Sequence, residues 1–163
     1  MSKINGKIVI KSDEIITVRM PYTDLDDRAS EHFKANFTRL LNKNYSTVVI
    51  LDFSKINLID GSGIAAILYA YSLCSKKGIQ LITCCLNASG QKLFKQKGVD
   101  LLIPNYNNYD DALISAKEYL KNMKFLCVNY NRLDKTFGTF NEGDKLPLAC
   151  TIIDNDSQLL RVS

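Results

Sequence analysis

The spacing of apolar positions changes several times along the chain, and each change predicts an element. Lys7-Ile8-Val9-Ile10 and Ile15-Ile16-Thr17-Val18-Arg19-Met20 read as strands. Only residues 11–14 separate them, which predicts an antiparallel hairpin. Thr23-Asp24-Leu25-Asp26 has the form of a capping box with Asp in the reciprocal position. It opens a helix to about Leu41, with Ala29, Phe33, Phe37, Leu40 and Leu41 on one apolar face. Thr47-Val48-Val49-Ile50-Leu51-Asp52 is a β-branched apolar run, the pattern of a strand buried on both faces.

A second helix is predicted over 62–77, ended by Gly78 behind two lysines. Residues 79–86 form the next buried strand, and Asn87 or Ser89 caps a short helix that stops at Gly98. Leu101-Leu102-Ile103 reads as a short strand ended by Pro104. Asn108, with Asp110 and Asp111, opens a last helix to about Lys121. The order ββαβαβαβα over residues 3–122 predicts an α/β fold: a mixed sheet that opens with a hairpin and has helices packed against it. Residues 1–122 are thus expected to form the main domain.

Residues 123–163 alternate differently. Leu126/Val128/Tyr130, Phe137/Phe140 and Ala149-Cys150-Thr151-Ile152-Ile153 suggest short strands, with turns at 141–144 and 154–157. Roughly 40 residues cannot hold a core of their own, so this β-rich extension is expected to pack on the domain or on a partner. Self-association into a homodimer by strand pairing is a further expectation for it.

Composition narrows the classes. With 46% hydrophobic and 23% charged residues among 163, the chain is an ordinary globular protein, not a disordered, collagen-like or coiled-coil one. A net charge of +4, with the 21 basic residues interleaved among 17 acids, does not point to a nucleic-acid binder. No run of about 18 apolar residues suggests membrane insertion, and residues 1–15 have no apolar stretch of signal-peptide type. Five cysteines (Cys74, Cys84, Cys85, Cys127, Cys150) in no CxxC spacing read as free thiols in a reducing cytoplasm. With His32 the single histidine, neither a zinc centre nor any other metal or cofactor is expected. Cys84 and Cys85 are neighbours on a predicted strand, so they are expected to face opposite ways and not to share an ion.

The richest stretch runs from a buried strand ending at Asp52, through a short loop, to Asp60-Gly61-Ser62-Gly63 at a helix start. Asp60 is placed to accept from the first free amides of the helix. Gly61 allows a tight turn, Gly63 a close approach, and Ser62 stands at the helix N-terminus with its hydroxyl toward solvent. Three readings compete for Ser62: a capping serine, a nucleophile, or a serine that is itself phosphorylated. A nucleophile needs a base, and a hydrolase elbow needs glycines where Asp60 and Ile64 stand. A phosphate-cradling loop needs more glycine followed by Lys and Ser or Thr. No catalytic constellation is evident, so an enzyme is not expected.

The buried strand and loop VVILDFSKINLID, the DGSG helix start and the segment KKGIQLITCCLNASGQKLFKQKGVDLLIPNYNNYDDAL together resemble the STAS domain, the module of anti-sigma-factor antagonists. The resemblance covers about residues 3–122. It implies that Ser62 is the phosphoacceptor, at the second serine of a motif that commonly reads Asp-Ser-Ser-Gly, and that Gly61 replaces the first. It further implies partner switching in signal transduction and transcription: an anti-sigma serine kinase binds the unphosphorylated form, and a serine phosphatase restores it. A phosphate adds about −1.5 to −2 charges, which would oppose docking.

The second helix carries Ile64, Ile67, Leu68, Tyr71 and Cys74 as a core stripe. Ala65, Ala66, Tyr69, Ala70 and Leu73 form a second surface, either wedged against neighbours or free for docking with Tyr69 as anchor. Asp52 reads as a loop-capping residue and Lys92, Lys95 and Lys97 as a basic flank. Tyr106 and Tyr109 are expected to cover the sheet end. Two other functions stay open: a STAS subunit docked on a membrane transporter's ATPase, and a small-ligand domain whose pocket is closed by the tail.

Overall fold

The computed structural model describes residues 2–4, 7–12, 14–44 and 46–137, with side chains described for 14–44 and 46–124. Three antiparallel strands, β1 (Ser2–Ile4), β2 (Lys7–Ser12) and β3 (Ile15–Arg19), open the chain. Strand β3 then pairs in parallel with β5 (Val48–Asp52), which pairs with β7 (Gln80–Cys84) and that with β8 (Asn105–Tyr106). The sheet order is β1-β2-β3-β5-β7-β8. A separate parallel pair joins β4 (Asp24–Leu25) to β6 (Leu58–Ile59).

Both faces of the central strands are covered, as their unbroken apolar runs require. Ile16, Val18, Val49, Leu51 and Leu81 meet α1 (Asp27–Lys43), α2 (Gly61–Lys76) and α3 (Ala88–Gln96) in the larger core. Ile15, Val48, Ile50, Ile82 and Cys84 point the other way, onto Ala112 and Ala116 of α4 (Tyr109–Phe137). Tyr109 ties α4 to the sheet through a 3.1 Å hydroxyl contact with Thr17, and Tyr106 donates to Ser115 at 2.7 Å, so both tyrosines cover the sheet as expected. The predicted α1 stripe is buried as read, with Phe33 and Phe37 rings 5.2 Å apart one turn from each other.

Several local expectations are corrected. The cap of α1 is Asp26, whose carboxylate accepts from the Ala29 amide at 2.9 Å, and not Thr23. The segment read as the box is drawn instead into β4, by pairing with residues more than 30 positions away. Leu101-Leu102-Ile103 is not a strand: a short 3-10 turn spans Val99–Leu101 after Gly98 at φ 67, with Leu101 and Leu102 exposed and Ile103 buried. The pairing strand falls at Asn105–Tyr106. Helix α4 continues past Lys121 to Phe137, over Leu126, Val128 and Tyr130 that read as strand. Met123, Leu126, Tyr130, Leu133 and Phe137 recur at helical spacing as well, and the local alternation was too short to outweigh it. Phe140, the strand at 149–153 and both predicted turns lie outside the described residues.

Candidate functional site

The loop from β5 to α2 is held at several points. Asp52 Oδ1 accepts from the Ser54 amide at 2.9 Å, the loop-capping role expected of it. The Asn57 amide donates to the Thr23 carbonyl at 2.6 Å, which aligns β6 along β4. From the far side, the amide of Asn87 donates to the carbonyls of Asn57 (2.7 Å) and Ile56 (3.3 Å). The same side chain caps α3 by accepting from the Gly90 amide at 2.8 Å. One residue thus fixes both a helix start and the loop beside it.

This scaffold delivers Asp60 as the N-cap of α2. Its Oδ1 accepts from the Gly63 amide and from the Ser62 hydroxyl, each at 2.9 Å. The Gly63 amide bond is the main reason that the Asp60 carboxyl lies below its ordinary pKa, with the Ser62 hydroxyl adding to it. The Ser62 hydroxyl is therefore not free toward solvent, as the sequence suggested, but half-buried and donating to a carboxylate. Gly63 is fully covered, and the close approach it permits is internal. A Cβ there would lie 2.5 Å from the Leu25 carbonyl oxygen and 2.8 Å from Ile59 Cγ2. Gly61 is exposed, and a Cβ on it would meet nothing within 4 Å.

Helix α2 divides differently from the two stripes read in sequence. Ala66 and Ala70 are fully buried beside Ile64, Ile67 and Cys74, where their small side chains allow α1 and α2 to pack closely. Leu68, Tyr71 and Leu73 are only partly buried. Ala65 and Tyr69 remain exposed. Ser62 and Tyr69, seven residues apart, lie on one face of the helix. The Tyr69 hydroxyl shares a 2.9 Å hydrogen bond with Thr38 of α1, so the ring is anchored yet 38% exposed. Sequence reasoning missed Leu58, 57% exposed on β6 just ahead of Asp60. An isolated leucine in a short loop carries no periodic signal.

A second cluster lies on the opposite face of the sheet, under α4. Arg19, Asp52 and Cys84 occupy one register across β3, β5 and β7. Arg19 Nε donates to Asp52 Oδ2 at 2.7 Å, and the Asp52 side chain is 1% exposed. Burial pushes the Asp52 carboxyl up, but the Arg19 hydrogen bond and the Ser54 amide outweigh it and hold it below its usual value. The expectation that Cys84 and Cys85 face apart is wrong. The strand ends at Cys84, and Cys85 adopts φ 62, which ends the alternation. The sulfur atoms of Cys84 and Cys85 and a carboxylate oxygen of Asp52 all lie within 4.8 Å of one another.

Elsewhere, Lys92, Lys95 and Lys97 are exposed, as their reading as a solvated flank requires. His32 is exposed on α1 and lines an open depression with Pro21, Tyr22, Ala35 and Asn36. Among the described residues, no helix is long and apolar enough to cross a membrane.

The STAS domain family model matches residues 7–112, and the chain belongs to the STAS domain family. It is 24% identical over 90 residues to an anti-sigma F factor antagonist of Paenibacillus polymyxa, spanning 55% of this chain and 77% of that one. An anti-sigma-factor antagonist (STAS) domain protein from Planctomyces limnophilus has the same fold at a TM-score of 0.62 and 13% identity, over 68% of this chain and 97% of that one. The Bacillus cell fate determinant SpoIIAA, in its phosphorylated form, superimposes at a TM-score of 0.53 and 17% identity, over 67% of this chain and 97% of that one.

Proposed function

We propose that this chain is an anti-sigma-factor antagonist that switches partners through phosphorylation of Ser62. The observation that carries the reading is the Ser62 hydroxyl, half-exposed at the start of α2 and hydrogen-bonded to Asp60, with exposed apolar residues four positions before it (Leu58) and seven after it (Tyr69) in the chain. The similarity to an anti-sigma F factor antagonist and to the Bacillus cell fate determinant SpoIIAA in its phosphorylated form supports it.

Phosphorylation replaces the hydroxyl proton that Asp60 now receives. It sets about −1.5 to −2 charges beside a carboxylate that already binds the Gly63 amide. The dipole of α2 offsets this by only ~0.3–1 kcal/mol at an exposed position. Across a docked surface, like charge costs several kcal/mol, and ~3 kcal/mol is already more than a hundredfold in affinity. The modification therefore leaves the fold intact and removes one partner, an anti-sigma serine kinase. Leu58, Ala65 and Tyr69 supply the apolar contact, Asp60 and the flanking Gly61 and Gly63 hold the serine in place, and a serine phosphatase resets it. The chain acts by binding, in the cytoplasm, and not as an enzyme.

The test is calorimetry of the wild type, Ser62→Ala and Ser62→Asp against the anti-sigma kinase of the same organism, with mass spectrometry of Ser62 after incubation with that kinase and ATP. Binding kept by Ala, lost with Asp, and a phosphate on Ser62 are expected. Equal binding by Asp and Ala overturns the charge switch.

A further inference from the structure

We propose that Asp52, Cys84 and Cys85 form a binding site for a thiophilic divalent cation of the zinc class, on the sheet face opposite Ser62. Three donor atoms from two adjacent strand ends converge there, all within 4.8 Å of one another. In a tetrahedral site two thiolate sulfurs bound to zinc lie ~3.8 Å apart. Small side-chain rotations would close the difference. The convergence depends on Cys85, whose left-handed backbone departs from the strand alternation that would otherwise carry adjacent side chains to opposite faces.

The donor set selects the ion. Two sulfurs favour a borderline or soft metal over magnesium or calcium, which prefer oxygen throughout. Asp52 Oδ2 accepts from Arg19 and Oδ1 from the Ser54 amide, and the Ser54 hydroxyl and the Cys85 thiol also hydrogen-bond the carboxylate, so a metal would take the place of the thiol proton. The bonds from Arg19 and Ser54 fix the carboxylate's orientation as an outer shell does in metal centres. On binding, two S–H bonds break, two metal–sulfur bonds form and two protons pass to solvent, with no change of oxidation state. Two thiolates and the Asp52 carboxylate then balance a divalent ion together with the Arg19 guanidinium, so the loaded site is neutral. Cys84 is fully buried and Cys85 half-exposed, which leaves a path of entry from the Cys85 side.

The experiment titrates Co2+ into the full chain, kept reduced with a phosphine, and follows the near-ultraviolet thiolate-to-cobalt charge-transfer band. A band that saturates at one cobalt per chain and is displaced by Zn2+ is expected. It should persist in the Cys127→Ser/Cys150→Ser double variant and vanish in both Cys84→Ser and Cys85→Ser. Circular dichroism checks the fold of each variant, and the half-exposed Cys85→Ser is the one in which a native spectrum is expected with the band gone. No band in the wild type, its retention by either single variant, or its loss in the double variant overturns the site.

Discussion

The carbonyl oxygen of Leu25 lies 2.5 Å from where a Cβ on Gly63 would be, so strand β4 and the first turn of α2 fit only through a glycine. Gly63→Ala forces the two apart. We expect it to lower stability by about 1–3 kcal/mol, the usual range for overpacking, and to shift residues 57–63. Gly61→Ser, only two positions away, meets open space and should melt within about 0.5 kcal/mol of the wild type. Thermal melts of the two variants, side by side, check the contrast.

Asp60 should matter to stability as a cap and through its charge. Asp60→Ala removes the acceptor for the Gly63 amide and the Ser62 hydroxyl and should cost about 1 kcal/mol. Asp60→Asn keeps an acceptor oxygen and should lose less. Asp52 and Asp60 both have folded pKa values below their unfolded ones. The unfolded chain therefore binds more protons, and their contribution is full above the ordinary carboxylate range of about pH 4. It fades as pH falls through the lowered folded values. Melting temperatures from neutral pH down to about pH 3 should fall less steeply in Asp60→Asn than in the wild type.

Arg19 is the counter-ion of a carboxylate whose side chain is only 1% exposed. Arg19→Ala leaves the Asp52 charge buried and should cost about 2 kcal/mol. That is less than the 3–5 of a fully buried pair, because a third of the arginine side chain is in solvent. Urea unfolding at neutral pH measures it. Unlike the wild type, this variant should regain part of its loss on acidification, as Asp52 takes up a proton.

Asn87 joins α3 to the loop ahead of Ser62, so its loss should be felt at both. Asn87→Ala should destabilise the chain by about 1–2 kcal/mol. It should also raise amide exchange at residues 56–60 before the rest of the sheet opens. Exchange mapped by mass spectrometry distinguishes this from a uniform loss.

What could be read in sequence was whatever rests on local periodicity or on a cap within three residues. Strands β3, β5 and β7, the stripe of α1 and the caps at Asp60 and Asn87 all announce themselves that way. What escaped depends on distant partners. Thr23-Asp24-Leu25 looks like a helix start until residues 58–59 arrive to pair with it. The burial of Ala66 and Ala70 depends on where α1 comes to rest. Cys85 looks like the next alternating residue of a strand, and no neighbour in sequence signals its positive φ. The ion pair of Arg19 with Asp52 follows from strand register alone, which the apolar runs do not specify.

Ala66 and Ala70 bring one further consequence. Both are small and fully buried, and Tyr69 ties α2 to Thr38 of α1 at 2.9 Å, so there is little slack for either helix to slide if something lands on Leu58 or Tyr69. Any docking on these residues would therefore meet a surface set in advance by the folded chain. A visitor would meet a ready-made shape, and selection among visitors would fall to surface chemistry, not to any hinge beneath it.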